Sequence, residues 1–145
     1  MNKLSIVGIG PGSYENMTIR ADRVLRECTL IVGYTVYVGL VRACYPDKEY
    51  AATPMTHEVQ RCQLALKAAK SGRRTALICS GDSGIYGMAA LAHELRGESD
   101  DPAIEIIPGV TAACSGAALL GAPLGQDFAA ISLSDRMTSW EQIEA

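Results

Sequence analysis

Three short apolar runs in this chain each stop at a glycine-containing turn, and each turn leads towards a helical pattern. The runs are Lys3–Gly8 (KLSIVG), Arg74–Cys79 (RTALIC) and Ile104–Ile107 (IEII). They lead into GIGPGS, SGDSG and PGVTA respectively. Runs this short that end in glycine predict buried strands. A further strand is expected at Thr29–Val32. Helices are expected from Thr18 as N-cap to Glu27, over Tyr34–Cys44, His57–Lys70, Ile85–Leu95 and Val110–Leu120. Ile19, Val24 and Leu25 form the apolar face of the first helix. Val59, Cys62, Leu64, Leu66 and Ala69 form that of the His57–Lys70 helix, which Gly72 closes. Strands alternating with helices favour a mostly parallel sheet flanked by helices. Phe128–Leu133 reads as one more strand, and SWEQIEA starts another helix. Glycine and proline in LLGAPLGQDF place a boundary there. Residues 1–122 are expected to form one α/β domain, and 123–145 a linker and the beginning of a second.

Bulk properties exclude several classes. The chain has 145 residues, 48% of them hydrophobic and 20% charged, enough to build a core and unlike a disordered segment. A net charge of −3 offers no electrostatic footprint for nucleic acid. The five cysteines, at 28, 44, 62, 79 and 114, include no Cys-x-x-Cys pair. They read as small core residues rather than a disulfide framework, and no metal site is expected. The N-terminal MNKLSIVGIGPG is broken by Gly-Pro-Gly too early for a signal peptide. Ile106–Gln126 runs 21 residues without a charge, but its two prolines and four glycines read as loop and tightly packed helix, not a membrane span.

Gly81-Asp82-Ser83-Gly84 resembles the setting of a serine nucleophile. The nucleophile elbow, however, requires glycine two positions after the serine, where Ile85 stands. The only histidines, His57 and His93, fall on polar helix positions. Val7–Ser13 (VGIGPGS) begins like a dinucleotide fingerprint, but its glycines are at 8, 10 and 12, and Pro11 lacks an amide proton. No Gly-Lys-Ser/Thr follows it. Asp82 is suited to capping a helix or to accepting hydrogen bonds from a ligand. Thr111 adds a polar side chain in the third turn. Three turns after three strands of one sheet can frame a single small polar ligand. None contains Lys or Arg, which favours a ligand without phosphate.

VGIGPGS, SGDSGIYGMA and IIPGVTAACSGAALLGAPLGQDFAAISLSD together resemble the tetrapyrrole (corrin/porphyrin) methylases. VGYTVYVGLV at Val32 is similar to the second strand and helix of the subfamily that methylates C17 of precorrin-3B or cobalt-factor III. The resemblance implies a methyltransferase that binds S-adenosylmethionine between two α/β domains and releases S-adenosylhomocysteine. It implies a tetrapyrrole substrate, C17 methylation with ring contraction in cobalamin synthesis, and a cytoplasmic homodimer without nucleic-acid or membrane partners. It implies that Pro11, Gly81, Asp82, Ile85, Tyr86, Thr111 and Ala112 border the cofactor. No catalytic acid or base is assigned. Gln126 stands where the subfamily usually has histidine, which bears on the ring-contraction step, and SDRMTSW is more polar than the usual segment. The resemblance extends past this chain through a full second domain, so the chain reads as an N-terminal portion. Other readings are a different tetrapyrrole methylase step, a diphthine-synthase-like methylase, or a non-catalytic binding and assembly module.

Overall fold

A computed structural model describes residues 2–132 and 139–144. The chain divides into two compact units, Met1–Ala112 and Ala113–Ala145.

The first unit is built on strands β1 (Lys3–Gly8), β2 (Leu30–Tyr34), β3 (Glu49–Thr53), β4 (Thr75–Cys79) and β5 (Ala103–Ile107). They form one sheet in the order β3-β2-β4-β1-β5, and every pairing is parallel. The connecting helices are α1 (Ile19–Glu27), α2 (Thr35–Arg42), α3 (Glu58–Lys70) and α4 (Ala89–Arg96). Side chains alternate across the strands, as the pleat requires. Val7, Ile31, Ala76 and Ile78 pack with Ala21 and Leu25 of α1 and Val38 and Val41 of α2. Leu4, Ile6, Val32 and Leu77 pack on the other face with Cys62, Ala65 and Ala69 of α3 and Ala89 and Ala92 of α4. Both faces are therefore covered, which is why the strands read as continuous apolar runs. Burying one leucine or isoleucine here contributes about 1.5–3 kcal/mol. The chain steps towards β3 on one face and back towards β5 on the other, which keeps the crossovers one hand.

Local chemistry sets the element ends. Thr18 Oγ1 accepts from the Ala21 amide at 3.1 Å and caps α1. Gly72, at φ +87°, follows α3 and donates to the Ala69 carbonyl at 2.9 Å. Burial pushes the thiols of Cys28 and Cys79 up to about 11 and that of Cys62 up to about 12, so these three are inert core residues.

Several expectations need correction. β3 was not anticipated: Glu49–Thr53 lies at the sheet edge with Thr53 alone of its residues buried, so it lacks a buried apolar run. The helix expected from Ile85 begins at Ala89 instead. Tyr86 at φ +51° cannot continue a right-handed helix. On α3 the buried positions are Arg61, Cys62, Ala65 and Ala69, whereas Val59 is half-exposed. On α1, Ala21 and Leu25 are buried and Ile19 is exposed.

The second unit holds α5 (Ala112–Leu119, whose first residue closes the first unit) and α6 (Trp140–Glu144). Neither helix has a buried residue. Residues 128–132 form no strand, and the end of the expected Phe128–Leu133 strand lies outside the described residues, as does most of the SDRMTSW segment. Among the described residues, no helix is long and apolar enough to cross a membrane.

Candidate functional site

β1 and β4 are neighbours in the sheet, yet the chain leaves β1 towards β3 and leaves β4 towards β5. This divergence opens a crevice at the carboxyl ends of the two strands, where ligands of doubly wound sheets gather. Here the two loops are tied across it. Gly10 and Gly81 exchange backbone hydrogen bonds, Gly10 N to Gly81 O at 3.1 Å and Gly81 N to Gly10 O at 2.8 Å. Their φ angles are +74° and +63°, a region glycine enters without a Cβ penalty. The turn after β5 joins them. A Cβ on Gly8 would lie 2.6 Å from the Gly81 carbonyl oxygen and 2.8 Å from the Gly109 nitrogen. A Cβ on Gly109 would collide with both other backbones. All three glycine turns noticed in the sequence thus converge, main chain against main chain.

Asp82 fastens this arrangement. Its Oδ1 accepts from the amides of Gly84 at 2.7 Å and Ile85 at 3.2 Å. Its Oδ2 accepts from the Gly109 amide at 2.9 Å. One carboxylate therefore organises the loop after β4 and links it to the turn after β5. It does not cap α4, whose N-cap is Met88. Ser83 is fully buried, and its Oγ donates to the Ile107 carbonyl at 2.9 Å. A buried hydroxyl committed to a carbonyl is a structural tie, which rules out the nucleophile suggested by Gly-Asp-Ser-Gly. Neither histidine supplies a base to it: His57 precedes α3 with Nδ1 2.9 Å from the Met55 carbonyl, and His93 lies in the last turn of α4.

The remaining expected positions share the same edge of the sheet. Pro11 is exposed after β1, Thr111 is half-buried and Ala112 exposed after β5. Ile85 and Tyr86 project from the loop after β4, 48% and 67% exposed. A tyrosine at positive φ is uncommon, and such backbone strain concentrates at ligand-binding loops. A Cβ on Gly81 would sit 3.6 Å from Thr111 Cα and from the Ala112 nitrogen. The edge therefore offers main-chain polar groups, one hydroxyl and exposed apolar side chains, with no cation in any of the three turns. Among the described residues, no group of three or more His, Cys, Asp or Glu side chains could hold a metal.

A second concavity at this edge was not anticipated. A cavity of about 160 Å³ is lined by residues that include Tyr34, Tyr37, Glu58, Arg61, Ser80 and Met88. Arg61 reaches it from α3, outside the positions expected to border a ligand. The available signal was spacing: Arg61, Ala65 and Ala69 recur every four residues, so the arginine shares the buried stripe.

The family model described as tetrapyrrole (corrin/porphyrin) methylases matches residues 3–145. A probable cobalt-factor III C(17)-methyltransferase of Salmonella typhimurium is 49% identical over 142 residues, covering 97% of this chain and 59% of the relative. The crystal structure of the methyltransferase CobJ superposes with a TM-score of 0.87 at 37% identity, covering 99% of this chain and 61% of that one. A uroporphyrin-III C-methyltransferase of Thermus thermophilus, solved with S-adenosylhomocysteine, shares the fold at a TM-score of 0.62 and 23% identity, covering 79% of this chain and 51% of that one. The chain thus spans about three fifths of the length of the first two relatives.

Proposed function

The chain belongs to the tetrapyrrole (corrin/porphyrin) methylases, and from that premise we propose that it is the N-terminal portion of a cobalamin-pathway C-methyltransferase. The substrate on this reading is precorrin-3B or cobalt-factor III, methylated at C17 with ring contraction. Residues 1–122 are the N-terminal methylase domain, and 123–145 lead into a second domain that the longer relatives have room for. The whole protein acts as a cytoplasmic homodimer. Leu119, Leu120 and Phe128, at 89%, 83% and 60% exposure, suit a surface covered by further chain or by a second copy.

The observation that carries the reading is the convergence of three glycine turns at the sheet's point of divergence, without a cation among them. S-adenosylmethionine fits such a cradle because it carries no phosphate and its sulfonium would be repelled by lysine or arginine. Pro11, Gly81, Asp82, Ile85, Tyr86, Thr111 and Ala112 are the residues that would border it. When bound, the cofactor supplies an electrophilic methyl group for in-line displacement. The chain's own contribution is positioning. The Gly10–Gly81 bridge fixes the distance between two loops, Asp82 holds the third against them, and Tyr86 and Ile85 provide apolar cover that excludes water. Gln126 has no titratable group, so proton handling at ring contraction falls to other residues.

Calorimetric titration of the chain with S-adenosylhomocysteine tests the reading. Saturable heat and a raised melting temperature are expected. If a protein extended to the length of its relatives also gives neither, the methyltransferase reading fails, and a binding or assembly role takes its place.

A further inference from the structure

Arg61 is a charge that the proposed cofactor cradle does not use. It is only 4% exposed, and a buried charge is tolerated where partners hydrogen-bond and neutralise it. Its Nε donates to Thr53 Oγ1 at 2.8 Å, and its Nη2 donates to the Pro54 carbonyl at 2.9 Å. The Tyr34 ring centroid lies 5.7 Å from the guanidinium carbon. These contacts fix the plane of the fork but bring no full negative charge. Nη1 has weaker company: Met88 Sδ at 4.0 Å and Glu58 Oε1 at 3.9 Å. Both distances exceed that of a charge-assisted N–H···O bond. The Glu58 side chain is 46% exposed, so water competes for it. Arg61, Met88 and Glu58 all line the cavity of about 160 Å³, together with Tyr34, Tyr37 and Ser80. A buried guanidinium thus turns its least satisfied nitrogen towards a cavity at the ligand-binding edge of the sheet.

We propose that this cavity is a carboxylate subsite anchored by Arg61 Nη1. The inference rests on the methylase reading, which brings carboxylates to this edge from two sources: the acid side chains of a tetrapyrrole and the amino-acid end of S-adenosylmethionine. A pre-oriented guanidinium is the side chain best matched to a carboxylate. The cavity is too small for a macrocycle but accommodates one acetate- or propionate-sized arm. Glu58 is the resident counter-charge that an incoming carboxylate displaces. Tyr34 and Tyr37, in edge contact at 5.1 Å between ring centroids, form an apolar wall that keeps the pair from full solvation.

The test uses the full chain labelled with ¹⁵N-arginine, titrated with propionate against a chloride control of equal ionic strength. The Arg61 Nε–Hε signal is expected to shift saturably, while those of Arg73 and Arg74, at the opposite end of the strands, stay fixed. Glu58→Gln is expected to tighten propionate about threefold by removing the competing charge. Met88→Glu leaves the Thr53 and Pro54 bonds in place but puts a carboxylate beside Nη1, and should weaken propionate about tenfold or more. Competition then identifies the source: displacement of propionate by uroporphyrin assigns a tetrapyrrole arm, and displacement by S-adenosylhomocysteine assigns the cofactor. An unmoved Arg61 signal in a chain that still binds S-adenosylhomocysteine overturns the subsite and leaves the methylase reading intact. Equal propionate affinity in wild type and Met88→Glu also overturns it. A shifting Arg61 signal with neither S-adenosylhomocysteine nor uroporphyrin bound, even in the extended protein, supports the anion site and overturns the methylase reading.

Discussion

Two regions of one sheet edge are built in opposite ways. The cradle at β1, β4 and β5 is made of main chain: Gly8, Gly10, Gly81 and Gly109 meet without intervening side chains, and Asp82 accepts from three backbone amides. The cavity beside it, towards β2 and β3, is lined largely by side chains: Arg61, Glu58, Met88 and three tyrosines, of which Tyr86 also belongs to the loop after β4. A backbone cradle tolerates almost no added atom, because neighbouring main chain fills the Cβ positions of Gly8, Gly10 and Gly109, and Gly81 holds a φ of +63° that side chains disfavour. A side-chain cavity can be altered at one wall while the others stand. The first should therefore fail by unfolding, and the second by changing what it binds.

The largest effect is expected at Gly109. Gly109→Ala drives a methyl group into the Gly81 carbonyl and the Gly8 backbone, costing on the order of 3 kcal/mol or more, read as a lower urea midpoint. A neutral result would show that the three turns do not pack as described. Asp82→Ala removes an acceptor from three amides at once, and about 2–3 kcal/mol of stability should go with it. Ser83→Ala deletes one buried hydrogen bond, leaves the Ile107 carbonyl short of a donor, and should cost about 1–2 kcal/mol. Its binding of S-adenosylhomocysteine should match wild type, and no fluorophosphonate labelling is expected at Ser83 in the parent chain. Labelling there would overturn the structural role.

The smallest effect lies away from this edge and serves as a control. Glu105 is held below its ordinary value of 4.5, first by the hydrogen bond from Lys3 and then by Arg20, while partial burial acts to raise it. A carboxylate with a lowered folded value stabilises above its unfolded value, and the contribution is lost as pH falls through the folded one. Glu105→Gln should therefore cost about 0.5–1 kcal/mol near neutrality, solvent screening included, and nothing once acid has protonated the wild-type carboxyl. Urea midpoints of the two proteins should converge on acidification. A gap that persists in acid would mean that Glu105 acts by packing and not by charge.

The same contrast explains what could be read in advance. β1, β4 and β5 were legible because apolar runs stop at glycine, and local sequence carries that signal. The parallel sheet followed from the alternation of elements. β3 was not legible, because Glu49–Thr53 owes its pairing with Leu30–Tyr34 to tertiary context. The start of α4 was misread because Ile85 and Tyr86 look helical, whereas Asp82 binds the Ile85 amide and Tyr86 turns to positive φ. The cradle's glycines were visible one by one, but their mutual contact was not. Arg61 was hidden most thoroughly. Its partners Thr53, Pro54 and Tyr34 lie on β3, the segment after it and the end of β2, and a charge on a helix reads as surface until those elements are in place.

The three tied turns are proposed to hold the methyl donor. Amide ¹H–¹⁵N spectra of the chain with added S-adenosylhomocysteine test it most directly. Saturable shifts are expected at Gly10, Gly81, Ile85, Tyr86, Thr111 and Ala112, with Gly72 and Gly97 at the far end of the sheet unmoved. Shifts confined to other residues would contradict it, because the cofactor would then be held away from the point where the three turns meet.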